Sequence, residues 1–113
     1  MRVQQSIEIS APPEKVWPFL VEPEKVLKWW TTLEKFEPVG ERRGSVGAAF
    51  YVEERAGGPP MKMSFGATEW VENEKITLHM TAGKNVKGYE QSLTLEAVPT
   101  GSRFTFMEDV QLP

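Results

Sequence analysis

Apolar and polar residues alternate along most of this chain, beginning at its first residues. The segment VQQSIEIS places Val3, Ile7 and Ile9 on one side, with Glu8 and other polar residues on the other. Such period-two alternation is typical of a strand that exposes one face to water. The prolines of the following Ala-Pro-Pro end the strand because they supply no ladder N–H group. The first predicted element is therefore a strand.

The spacing changes in the next segment, SAPPEKVWPFLVEPEKVLKWW. The tetrapeptide Pro-Glu-Lys-Val occurs in it twice, beginning at Pro13 and at Pro23. Proline suits the first turn of a helix, where its missing N–H is no loss, and it disfavours helical geometry in the residue before it. Apolar residues then follow at helical spacing. The segment predicts two short helices with a kink between them.

From Leu33 onward the period returns to two and stays there. Six alternating segments are separated by turn residues, and such spacing predicts consecutive hairpins. The segments are LEKFEPV, SVGAAFYVEER, MKMSFGATEW, ITLHMTA, YEQSLTLEAV and SRFTFMEDVQL. They predict one antiparallel meander.

Length, charge and composition restrict the class of protein. The chain has 113 residues, which fits a single domain, and a net charge of −3 with no long basic block. Nucleic-acid binding normally needs a basic surface, so we expect no nucleic-acid partner. There is no run of roughly 18 apolar residues, so no membrane span is expected. The lack of cysteine and of an apolar leader favours the cytoplasm.

The order of these elements resembles the helix-grip fold of the START-like superfamily, also called the Bet v 1-like, SRPBCC or polyketide cyclase/dehydratase-like group. Three segments carry the resemblance: IEISAPPEKVWPFLVEPEKVLKWW, ATEWVENEKITL and LTLEAVPTGSRFTFMEDV. The resemblance implies an α+β fold, a curved seven-stranded antiparallel sheet with two short helices after the first strand. It also implies one START-like domain over residues 1–113.

The end of the chain departs from that family. A long C-terminal helix follows the last strand in the family and closes the concave face of the sheet, whereas this sequence stops at Pro113, just after the last predicted strand. An uncovered apolar face of that size is rare in monomers. We therefore expect the natural protein to continue into an amphipathic helix of about 20 residues, or two chains to pair as a homodimer through their concave faces.

Strand parity identifies the residues that face inward. From the residues alone they either fill a core or line a cavity, while the resemblance implies a cavity for a small hydrophobic molecule. The predicted lining is Trp30, Phe50, Val52, Met63, Phe65, Leu78, Met80, Tyr89, Gln91, Leu93, Phe104 and Phe106.

Three glutamates share the parity of these apolar residues, namely Glu54, Glu69 and Glu108. A carboxyl group on an apolar face has a raised pKa and can act as a general acid or base. At a strand end the same group would simply reach water. Glu108 is the candidate catalytic residue on this reasoning.

The sequence contains few residues of the other types that commonly act in catalysis or bind metal ions. His79 is the only histidine and lies on the polar side of its strand, and Asp109 is the only aspartate. With no cysteine either, we expect no metal site and no cofactor.

Three functions remain open. The first is non-covalent binding of a small hydrophobic ligand such as a lipid, a polyketide or another ring compound. The second is an enzyme of the polyketide cyclase/dehydratase kind, which uses cavity carboxylates for proton transfer. The third is a protein-binding module like the Hsp90-ATPase-activator relatives. Whether the chain is an enzyme is left open by the sequence.

Overall fold

The computed structural model describes residues 2–42, 44–55, 57–83 and 87–111. The strands are β1 Arg2–Ile9, β2 Leu33–Val39, β3 Ala49–Glu54, β4 Met61–Val71, β5 Lys75–Gly83, β6 Gly88–Val98 and β7 Gly101–Gln111. They form one sheet in the order β1-β7-β6-β5-β4-β3-β2, and each strand is antiparallel to its neighbours. The helices are α1 Pro13–Val16, α2 Pro18–Val21 and α3 Pro23–Trp29. This is the helix-grip architecture that the sequence predicts.

Proline determines where each helix begins. All three helices have proline in their first turn, where the missing N–H group costs no hydrogen bond. The first predicted helix is divided at Trp17, because Pro18 starts a new turn there. Glu22 is extended, with φ −86° and ψ 119°, as expected for a residue that precedes proline. The extended Glu22 therefore separates α3 from the first two helices.

The apolar core lies between these helices and the concave face of the sheet. The partly buried Trp70 packs against this core, with its ring 5.9 Å from that of Trp17 in an edge-on contact and 6.5 Å from that of Phe50 in a parallel one. Phe50 stacks in turn on Phe36 at 5.0 Å. These rings connect α1 to β4, β3 and β2, so they fix the position of the helical layer over this half of the sheet.

The predicted position of Glu69 on the apolar face is wrong. The register between β4 and β5 shifts between Ala67 and Glu69, as at a β-bulge. A bulge adds one residue to a strand and reverses the facing of the residues beyond it. Trp70 therefore points into the core, while Glu69 lies on the convex face and accepts a hydrogen bond from Thr77 Oγ1 at 2.9 Å. Glu69 is not part of the concave face.

A buried hydroxyl joins the start of β7 to the end of β1. Ser102 is completely buried, and its Oγ donates a hydrogen bond to the Ala11 carbonyl at 2.6 Å. The preceding Gly101 has φ +144°, and a Cβ there would lie 2.1 Å from the Ile9 carbonyl oxygen. This close approach fixes the point at which the chain leaves β1 for the helices.

Candidate functional site

An open apolar depression, here called the trough, lies on the concave face where β1 and β7 meet the helices. Its volume is about 340 Å³, which is within the usual range of small-molecule sites. The lining consists of Ile7, Ile9, Ala11, Lys15, Val16, Phe19, Leu20, Trp29 and Phe104. Lys15 is its one charged side chain. The trough can therefore hold an apolar body by burial of surface.

A second depression of about 190 Å³ continues the trough along β1 and β7. Ile7, Trp29 and Phe104 line both depressions, so the two are contiguous. Gln5, Trp30 and Phe106 complete the lining of this second part, here called the extension. The site is thus an elongated channel that is open to solvent.

The two adjacent tryptophans at the end of α3 form one wall. Their rings stack with centroids 5.5 Å apart, which is possible because Trp30 leaves helical geometry with ψ 80°. Trp29 also meets Phe104 edge-on at 5.9 Å, and its Nε1 donates to the Phe19 carbonyl at 2.6 Å. Trp30 meets Phe106 edge-on at 5.5 Å. These contacts hold both rings rigidly, and rigid aromatic walls suit the binding of an apolar ligand.

Beyond Phe106 the concave face becomes polar. Phe104, Phe106 and Glu108 occupy successive inward positions of β7, and Gln91 lies opposite Glu108 on β6. The Gln91 Nε2 donates to Tyr89 Oη at 2.9 Å in the interior.

Glu54 of β3 reaches the same region from the other side. It borders a small space together with Gln91, and its Oε2 accepts a hydrogen bond from Thr32 Oγ1 at 2.7 Å. We call this region, formed by Glu54, Glu108, Gln91 and Tyr89, the carboxylate end.

The surroundings of Glu108 make its carboxyl group less acidic than usual. Partial burial raises the pKa of the Glu108 carboxyl, and the negative charge of Glu54 raises it further. Among the ion pairs of the described residues, none includes Glu54 or Glu108. A carboxyl group with a raised pKa can transfer a proton, and in its ionised form it can bind a cation that supplies the missing counter-charge.

Most residues of the predicted cavity lie deeper than the trough. The spaces among the most buried of them have volumes of about 10 Å³ each, which is room for one water molecule at most. The residues in this packed region are Phe50, Val52, Met63, Phe65, Leu78 and Leu93. Tyr89 and Gln91 are also buried, and Met80 is partly buried at its edge. Met80 and Tyr89 also border a separate open depression of about 300 Å³ beside His79 and Glu90. Trp30, Phe104 and Phe106 line the open extension.

Sequence reasoning missed the β1 side of the site. Ile7 is 58% exposed and Phe19 42% exposed, yet both line the trough. The alternation in VQQSIEIS was the available signal, because it assigns Ile7 and Ile9 to the inward face. What it lacks is the register that places Ile7 opposite Phe104.

The remaining candidates lie elsewhere or form no site. His79 is exposed on the convex face, as predicted, at the position of β5 that lies opposite Glu90 of β6 in the strand register. A search of the described residues finds no group of three or more His, Cys, Asp or Glu side chains that could hold a metal ion. In the same part of the chain, no helix is long and apolar enough to cross a membrane.

The sequence matches the model of one protein family over residues 1–112. That family is described as "Polyketide cyclase / dehydrase and lipid transport". The chain belongs to this family. A comparison with curated proteins finds no match.

Solved structures of this family's fold superpose on nearly the whole chain. The protein TTHA0849 from Thermus thermophilus has a TM-score of 0.86 at 18% identity, covering 100% of this chain and 75% of that one. A START superfamily protein from Mycobacterium smegmatis has a TM-score of 0.82 at 15% identity, with 99% and 77% coverage. Major latex-like protein 151 from Panax ginseng has a TM-score of 0.79 at 14% identity, with 99% and 79% coverage. At these identities the likeness concerns the fold alone.

Proposed function

We propose that this protein binds a small hydrophobic ligand non-covalently in the trough and its extension. The observation that carries this proposal is the contiguous apolar channel, whose first part alone has a volume of about 340 Å³. The family description, which includes lipid transport, agrees with such a role. We propose that the ligand is a lipid, a polyketide or another ring compound, and that the protein acts in the cytoplasm.

Several exposed apolar side chains support this assignment. Ile7, Phe19 and Trp29 are 58%, 42% and 37% exposed, and all three line one depression. An apolar ligand that covers them gains roughly 25 cal/mol for each Å² removed from water. The stacked tryptophans are held in place before binding, so little ordering cost opposes that gain. The predicted interior lining, including Phe65 and Leu78, would act as the floor beneath the ligand.

A fluorescence titration with the hydrophobic dye ANS tests the proposal. In the Ile7→Asn variant a polar amide replaces an apolar wall of both depressions, so the dye affinity should fall by roughly tenfold. Val71→Asn is the matched control, because Val71 is also an exposed strand residue, 47% exposed, and lines neither depression. Equal dye binding by wild type and the Ile7→Asn variant would contradict the trough as the site.

A second candidate function is proton transfer to or from a bound ligand. The raised pKa of Glu108 supports it, because a partly buried carboxyl group can act as a general acid or base nearer to neutral pH. The family description includes cyclases and dehydrases. Glu108 would then exchange a proton with a carbon or oxygen of a ligand that lies along Phe106.

Hydrogen exchange on a bound hydrophobic β-diketone tests this second function. In heavy water, NMR follows the loss of its acidic C–H signal, and wild-type protein should accelerate that loss over buffer. The Glu108→Gln variant should lose the acceleration, whereas Glu90→Gln, on the convex face, should retain it. Equal rates with all three proteins would exclude Glu108 as the acid or base.

A further inference from the structure

The carboxylate end specifies the chemical class of the ligand. We infer that the channel takes an amphiphile with a protonated amine head, whose apolar body lies along Ile7, Trp29 and Phe104 and whose ammonium group reaches Glu54 and Glu108. This inference rests on the proposed binding function and adds the polarity of the ligand to it. Its basis is the direction of the channel, the charge at each end and the hydrogen-bonding groups available there.

The direction follows from β7. Phe104 borders the trough and the extension, Phe106 borders the extension, and Glu108 is the next inward residue. Glu108 lies four residue steps beyond Phe104 along the strand, a length of about 13 Å. On β1, Ile7, Gln5 and Val3 accompany them in register. A medium-length alkyl or aryl chain that lies in the channel therefore brings its head to the carboxylate end.

The charges at the two ends are opposite in sign. Glu54 and Glu108 are both partly buried, and no ion pair of the described residues neutralises either one. Lys15, at the trough end, is exposed to water. Partly buried charges without counter-charges gain most from an opposite charge, while an exposed ammonium group is already well hydrated. A cationic head at the carboxylate end is thus favoured over an anionic head at Lys15.

Hydrogen bonding at the carboxylate end also favours a donor. The Gln91 amide N–H already donates to Tyr89 Oη, and Thr32 supplies one donor to Glu54. Carboxylate oxygens are acceptors, so a head group with several N–H donors complements them. A protonated primary amine offers three such donors together with the positive charge.

Three probes that share one alkyl chain test the inference at neutral pH: decylamine, decanol and decanoate, each below its aggregation concentration. Calorimetric titration of the 113-residue protein should show decylamine binding roughly tenfold or more tightly than decanol, because charge-assisted hydrogen bonds are the stronger ones. Decanoate should bind most weakly. In the Glu54→Gln/Glu108→Gln variant this preference should disappear while decanol binding remains.

The control is Glu90→Gln, which removes one negative charge from the convex face and should leave the preference intact. A single Glu108→Gln variant with an unchanged circular dichroism spectrum guards against loss of folding in the double variant. Equal affinities for decylamine and decanol in wild type would overturn the inference and leave the binding function standing. Tightest binding of decanoate, lost in Lys15→Gln, would overturn it as well. No binding of any probe would overturn both.

Discussion

The same substitution at two tryptophans should separate folding from binding. Trp17 is 5% exposed, belongs to the buried core and packs edge-on against Trp70. Trp29 is 37% exposed and forms a wall of the trough. We expect Trp17→Ala to reduce stability most, and Trp29→Ala to reduce ligand binding most.

The magnitudes follow from burial. A fully buried tryptophan truncated to alanine leaves a cavity, and the free energy of unfolding falls by about 3–5 kcal/mol. In a domain of this size such a loss lowers the melting temperature by about 12–20 °C. The Trp29→Ala variant loses a partly buried ring and the hydrogen bond from Nε1 to the Phe19 carbonyl. We expect its free energy of unfolding to fall by about 2 kcal/mol and its melting temperature to fall by about 8 °C.

Thermal denaturation followed by circular dichroism gives the stability of each variant, and ANS titration of the folded protein gives its binding. The Trp17→Ala variant, measured well below its melting temperature, should bind the dye nearly as wild type does, whereas Trp29→Ala should bind it several-fold more weakly. Equal losses of stability in the two variants would refute the assignment of Trp17 to the core. Unchanged dye affinity in Trp29→Ala would refute the assignment of Trp29 to the site.

Three further predictions concern the backbone, pH and association. Gly101→Ala should lower the free energy of unfolding by more than about 2 kcal/mol, because the new Cβ would collide with the Ile9 carbonyl oxygen. Denaturant titration measures this loss. The control is Gly58→Ala, whose new Cβ meets no atom within 4 Å and should change the stability little. Burial raises the pKa of folded Glu108 above its ordinary value of 4.5, so the folded state binds that proton more tightly than the unfolded chain. Its contribution to stability is therefore complete below pH 4.5 and lost as the pH rises through the raised pKa, and Glu108→Gln should remove this slope from the stability–pH curve while Glu90→Gln retains it. The helices already bury most of the concave face, including Phe50, Phe65 and Leu93, so any pairing of chains must use its open part. Light scattering should show ligand-free chains pairing through the trough and its extension as concentration rises, with decanol shifting them to monomers. A monomer at all concentrations that also fails to bind ANS would show that this part of the concave face is closed.

Much of the fold could be predicted because its signals are local. Alternation in segments such as VQQSIEIS marks a strand within a few residues, and Pro13 and Pro23 mark helix starts without reference to the rest of the chain. The family resemblance then implied that the seven strands form one curved antiparallel sheet. None of these signals required a knowledge of side-chain packing.

The bulge in β4 shows where such local reasoning fails. Simple alternation places Glu69 on the same face as Phe65 and Ala67. The extra residue of the bulge exchanges the two faces for the residues beyond it, so Trp70 points inward instead. The cause is tertiary, because the ring of Trp70 fills the space between Trp17 and Phe50. A sequence pattern does not contain that space.

The position of the open channel also depends on contacts between segments that are distant in the sequence. Parity indicates that Phe50 and Phe104 both face inward, yet Phe50 is stacked between Phe36 and Trp70 while Phe104 borders the trough. The difference arises because the rings of Phe36 and Trp70 cover Phe50, whereas the space beside Phe104, between β1, α1 and Trp29, is left open. Only the register of Ile7 against Phe104 and the placement of Trp29 reveal the site.

The most direct test of the proposed function is to locate a bound apolar molecule on the folded chain. NMR on methyl-labelled protein saturated with decanol reports which methyl groups lie within a few ångströms of the alkyl chain, through intermolecular nuclear Overhauser effects. The account predicts such effects at the methyls of Ile7, Ile9 and Leu20, which border the trough. Effects confined to the methyls of Leu78 and Leu93, or to methyls of the convex face, would contradict it.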